Sequence, residues 1–129
     1  MAKKILIADD DTHVRILLEQ TLEDFEDVGV ELLLAHDGLQ AWNVAQAERP
    51  DVIILDVMMP ELSGYDVCER IKNDPDLSRI HIIMLTAKGQ AKDHRRSIEV
   101  GADEYITKPF SPRRLVERVA TVLGVQVTL

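Results

Sequence analysis

Three short and nearly uninterrupted apolar runs constrain the fold of this chain most strongly: Ile5-Leu6-Ile7-Ala8, Val52-Ile53-Ile54-Leu55 and Ile82-Ile83-Met84-Leu85. Each ends abruptly at a polar residue, the pattern of strands buried on both faces. They predict the central strands of a parallel sheet. Glu31 to Ala35 and Glu104 to Thr107 mix polar and apolar residues as outer strands do, which brings the expected total to five.

Between these runs the apolar spacing changes to intervals of three and four, at Val14, Leu17, Leu18, Leu22 and Phe25 and again at Leu115, Val119 and Val122. Boundary residues agree with helices. Asp11 and Asp37 are candidate N-caps, Ser63 with Asp66 reads as a capping box, Ser111-Pro112 suits a helix start, and Gly29, Gly101 and Gly124 suit helix stops. Asn73-Asp74-Pro75-Asp76 reads as a surface loop. Strand and helix therefore alternate five times. This predicts an α/β, flavodoxin-like, doubly wound five-stranded parallel sheet of order 2-1-3-4-5 with five helices, and one domain over residues 1–129. A chain of 129 residues suits one hydrophobic core.

The formal net charge of −8 argues against direct nucleic-acid binding by this domain. Lys3 and Lys4 lead into an apolar stretch that runs straight into Asp9, Asp10 and Asp11, unlike a signal peptide. No apolar run approaches the roughly 20 residues that span a bilayer, so the expected location is cytoplasmic, with no membrane role. Cys68 is the single cysteine, which excludes an internal disulfide and a cysteine zinc cluster and suggests a small buried packing residue.

Ligands of such sheets bind beyond the carboxyl ends of the strands, near the switch point. Asp9 and Asp10 follow the first run, Asp56 the third, Thr86 the fourth and Lys108 the fifth. All should meet at one edge. Three carboxylates within about 5 Å repel by roughly 3 kcal/mol per pair at an effective dielectric of about 20, which calls for a hard divalent cation such as Mg2+. With a lysine ammonium beside it, the edge becomes a site for a phosphoryl group, with a carboxylate available as nucleophile.

The segments Ile5 to Asp11, Leu55-Asp56-Val57-Met58-Met59-Pro60, Gly64-Tyr65, Leu85-Thr86-Ala87, Gly101-Ala102-Asp103-Glu104-Tyr105 and Lys108-Pro109-Phe110, in this order and spacing, resemble the receiver family of two-component response regulators. The resemblance implies that Asp56 takes a phosphoryl group from the phosphohistidine of a sensor histidine kinase or a phosphotransfer protein. It implies Mg2+ on Asp10, Asp56 and the backbone carbonyl of Met58, with Asp9 acting through water. Lys108 would pair with a carboxylate at rest and with a phosphoryl oxygen afterwards, across a Lys-Pro bond that is usually cis in the family. Thr86 and Tyr105 would form a switch that alters the surface of helix four, strand five and helix five. Glu104 and Arg118 stand where related transcriptional receivers pair charges across a homodimer on that surface, although Arg114 stands where those relatives often carry an acid. Met58 and Lys88 would flank the path of the hydrolytic water.

Three other functions compete. A haloacid-dehalogenase-like phosphatase uses a similar set but resembles Asp-x-Asp at its nucleophile, and here the second acid is replaced by Met58. A flavodoxin-like cofactor binder wants a Ser/Thr/Gly-rich loop after the first strand, where Asp9, Asp10 and Asp11 would repel a phosphate. A non-phosphorylated pseudo-receiver is opposed by the complete acid, threonine and lysine set. Trp42 and Tyr65 read as packing residues, Lys92 to Arg96 as a solvated helix face, and His13, His36, His81 and His94 as surface or packing histidines without metal-ligand spacing. Val125 to Leu129 reads as a short apolar-leaning tail, compatible with a stand-alone receiver or with part of a longer regulator.

Overall fold

A computed structural model of the chain describes residues 2–87 and 91–127. Five strands, β1 (Lys4–Ala8), β2 (Glu31–Ala35), β3 (Val52–Asp56), β4 (His81–Ala87) and β5 (Glu104–Lys108), alternate with helices α1 (Thr12–Leu22), α2 (Gly38–Glu48), α3 (Gly64–Asn73), α4 (Ala91–Glu99) and α5 (Pro112–Leu123). The sheet is parallel throughout and runs β2-β1-β3-β4-β5, so the expected order holds.

The continuous apolar runs are explained by the two layers they separate. Ile5, Ile7, Ile54, Ile83 and Leu85 face Leu18, Leu22, Leu115 and Val119 of α1 and α5. Leu6, Ala8, Ile53, Leu55, Ile82 and Met84 face Ala41, Ala45, Val67, Cys68 and Ile71 of α2 and α3. Because side chains alternate across a strand, a strand covered on both sides needs apolar residues at every position. Cys68 is buried, as expected of a packing residue, and burial pushes its thiol up to about 12.

Local chemistry sets the helix ends. Asp11, Asp37 and Ser111 each accept backbone N–H bonds at an N-cap, and Ser63 with Asp66 closes both halves of a capping box. The first helix departs from its apolar spacing: α1 stops at Leu22, and Phe25 is buried from a 3-10 helix over Glu23–Val28. Gly29 then closes that turn at φ 85°, a left-handed conformation for which glycine has no Cβ penalty. Arg49 ends α2 at φ 47°, a stop that no glycine signals. Among the described residues, no helix is long and apolar enough to cross a membrane.

Candidate functional site

β1 and β3 are adjacent in the middle of the sheet, and their connections leave in opposite directions, so a crevice opens where Asp9, Asp10 and Asp56 emerge. One carboxylate oxygen from each lies within 4.8 Å of the other two. Asp9 and Asp56 are buried, whereas Asp10 is exposed at the rim. The acidic turn is built from its own backbone: the Asp11 N–H donates to Asp9 Oδ1 at 2.9 Å, and the Arg15 guanidinium reaches back to the Asp9 carbonyl at 2.7 Å.

Lys108 arrives from β5 across the intervening β4. Its Nζ lies 2.7 Å from Asp56 Oδ1 and 3.2 Å from Asp9 Oδ2. The Lys108–Pro109 peptide is cis. Burial pushes the Asp56 carboxyl up to about 6; the Lys108 hydrogen bond opposes this, and the negative charge of Asp9 adds to it. Burial acts on Lys108 in the opposite sense, but the bond to Asp56 and the charges of Asp56 and Asp9 outweigh it, so the ammonium is held charged above its ordinary range. One ammonium against three carboxylates leaves the pocket electron-rich. An all-oxygen donor set of this kind, partly buried and partly open, fits a hard divalent cation that keeps some of its water.

Thr86 is buried on β4, and its Oγ1 has no hydrogen-bond partner among the described residues. Strand register pairs Thr86 with Thr107 and Met84 with Tyr105, which puts Thr86 and Tyr105 on one face of the sheet as diagonal neighbours. Tyr105 is partly exposed and stacks on His94 of α4. The Met58 side chain projects into solvent beside the crevice, 74% exposed. Lys88 lies outside the described residues.

At the far end of β5, the Arg118 Nε donates to Glu104 Oε1 at 2.6 Å, and His81 Nε2 lies 2.6 Å from Glu104 Oε2. Both oxygens of Glu104 are therefore engaged inside one chain. Burial pushes this carboxyl up, yet the bonds from Arg118 and His81 prevail and hold it below its ordinary value of 4.5.

Several contributors were not legible as such in the sequence. Gly64 donates its N–H to the Val57 carbonyl at 3.1 Å, and a Cβ there would fall 2.1 Å from the Asp56 carbonyl oxygen, so only glycine lets α3 start this close to the acceptor strand. Gly38 has the same relation to Leu62, with 1.7 Å to its carbonyl oxygen. Close approach depends on tertiary contact, which neither the place of Gly64 after the Ser63 cap nor its part in the Gly64-Tyr65 segment of the resemblance spells out. Arg15, His81 and His94 likewise find partners that chain spacing does not announce. Trp42 and Tyr65 pack as expected, each under an arginine, Arg70 and Arg96 respectively, with guanidinium carbons 5.8 Å from the ring centroids.

A sequence model of the response regulator receiver domain matches residues 5–120. The phosphate regulon transcriptional regulatory protein PhoB of Pseudomonas aeruginosa is 46% identical over 123 residues, which cover 95% of this chain and 52% of that protein. The chain spans about half the length of the curated relatives it matches. Among solved structures, the receiver domain of a signal transduction histidine kinase from Syntrophus aciditrophicus is 38% identical with a TM-score of 0.84, over 99% of this chain and 96% of that one. The receiver domain of a Pseudomonas aeruginosa sensor histidine kinase, solved with a magnesium ion coordinated in its active-site cleft, is 28% identical with a TM-score of 0.83, over 96% of this chain and 99% of that one.

Proposed function

Because this chain belongs to the response regulator receiver family, we propose that it is a phosphoacceptor whose Asp56 takes a phosphoryl group from a phosphohistidine and thereby changes the face formed by α4, β5 and α5. The observation that carries this reading is the pairing of buried Asp56 with Lys108 at 2.7 Å, inside a cluster of three carboxylates at one sheet edge. In the reaction, an Asp56 carboxylate oxygen bonds to phosphorus as the donor P–N bond breaks and the imidazole leaves with the bonding pair, to be protonated. Such a roughly in-line transfer needs positioning and charge compensation more than covalent help.

The groups for that task are present. Lys108 can move its hydrogen bonds from the carboxylates to a phosphoryl oxygen, and the unpartnered Thr86 hydroxyl can donate to another. Asp10, Asp56 and the Met58 carbonyl would hold Mg2+, with Asp9 acting through water, and the donor set fits that ion. The ion, when bound, neutralises charge on the phosphoryl oxygens. Thr86 drawn toward the new group vacates space on the face it shares with Tyr105, which supports a switch made of these two residues.

A sensor histidine kinase or phosphotransfer protein is the expected partner, and the α4-β5-α5 face is where a second copy would dock. The protein signals and is not a turnover enzyme: Met58 stands where a dehalogenase-like phosphatase needs its second acid. Intact-mass measurement after incubation with acetyl phosphate and Mg2+ tests the central claim. One added phosphoryl group is expected on the wild type and none on Asp56→Asn. Equal addition to both would overturn the assignment, and sustained turnover of a phosphate ester would favour the phosphatase.

A further inference from the structure

Tyr105 is 40% exposed, and its ring lies against the His94 imidazole of α4, with centroids 4.3 Å apart and planes 24° from parallel. The Nε2 of this imidazole is buried without a hydrogen-bond partner among the described residues, and the near-parallel rings make the contact through the imidazole face. Among the described residues, the other buried side-chain nitrogen or oxygen atom in this condition is Thr86 Oγ1. One of these residues adjoins Tyr105 through the stack and the other through strand register. Unpartnered buried polar atoms are unfavourable and call for a specific explanation. Both fall beside one tyrosine, whose hydroxyl can donate and accept.

The surroundings make α4 a suitable place for a switching contact. Ile98 is 66% exposed, and Arg96 ties the helix to α3 by lying over the Tyr65 ring. We propose that His94 is a positioning residue for the switch: its imidazole face holds the Tyr105 ring outward against α4 and so opposes the inward state that modification of Asp56 favours. The inference rests on the Thr86 and Tyr105 switch proposed above and adds the group that sets its resting balance. A stack of this kind biases a two-state equilibrium by roughly two- to tenfold. The apparent affinity of a ligand for the inward state is lowered by the fraction of protein in that state, so releasing the stack should tighten binding at a distant, unaltered site by the same factor.

The full chain, with Mg2+ present, is titrated with beryllofluoride as a phosphoryl mimic, and the bound fluorine signal is followed by 19F NMR. His94→Ala should bind roughly two- to tenfold more tightly than wild type, while His94→Phe, which keeps an aromatic face, should bind as wild type does. On a Tyr105→Ala background, His94→Ala should change nothing. The proposal fails if His94→Ala binds no more tightly than wild type, or if it tightens binding equally without Tyr105. His94→Gln, which removes the ring but keeps a polar side chain, should behave as His94→Ala, and circular dichroism checks that each variant is folded. Failure of the underlying reading is separate: a wild type that binds no beryllofluoride, or an Asp56→Asn variant that binds equally well, overturns the phosphoacceptor assignment before any His94 comparison.

Discussion

At the scale of single residues, burial makes the Asp56 carboxyl in the crevice harder to ionise. An Asp56 carboxyl at about 6, against 3.8 for an ordinary aspartate, binds its proton more tightly in the folded chain than in the unfolded one. Between those values the folded state carries the extra proton, so in the metal-free protein the contribution of Asp56 is fully present at the lower end and is lost as pH rises through about 6. That difference corresponds to about 3 kcal/mol, which solvent screening at the open rim reduces to about 2 kcal/mol. Metal-free Asp56→Asn should therefore be more stable than wild type at pH 7 by about 2 kcal/mol in urea unfolding, and the difference should vanish near pH 4. Glu104 behaves in the opposite sense. Its carboxyl is held below 4.5, so its contribution is present above that value and is lost as pH falls below it. Glu104→Gln should weaken the wild type's dependence on pH in that acid range, as thermal unfolding would reveal.

At the scale of elements, the β3-to-α3 junction leaves no room for a side chain where it passes the acceptor strand. Gly64→Ala sets a methyl group against the Asp56 carbonyl, a contact with backbone that no rotamer change relieves. A loss of about 3 kcal/mol is expected by denaturant unfolding, together with slower acetyl-phosphate labelling because the acceptor strand must shift. Elements of this kind were unevenly legible in the sequence. The three apolar runs located β1, β3 and β4 to within one or two residues, because two-sided burial leaves a pattern that needs no knowledge of partners. The placement of Asp9, Asp10, Asp56 and Thr86 followed from those runs, since each stands within two residues of the end of one, and Lys108 followed from the weaker β5 pattern that it closes. The early stop of α1 was hidden, because Phe25 satisfies the same apolar interval from a 3-10 turn as it would from a helix. The left-handed Arg49 also left no mark, since chain context and not residue type imposes it. His81 and His94 were illegible for a further reason: Glu104 and Tyr105 are brought to them by strand pairing and helix docking, which spacing along the chain does not encode.

At the scale of the whole molecule, a cation that binds only the folded crevice must stabilise the entire fold by mass action, by about 2.7 kcal/mol at one hundred times its dissociation constant. Adding Mg2+ should raise the thermal midpoint of the wild type, and Asp10→Asn should lose most of that rise. Lys108 extends this coupling across the sheet. It is anchored on an edge strand, β5, yet its ammonium rests on Asp56 of β3 and on Asp9 just beyond β1, bypassing β4 altogether. An edge strand has a neighbour on one side only, and its amides usually open early. In mechanical terms Lys108 is a stay that runs from the rim of the sheet to its centre. Lys108→Ala should accordingly speed hydrogen exchange in β5 more than in β1 or β3. A phosphoryl group that draws the same ammonium toward itself would alter the tension on the strand that carries Tyr105.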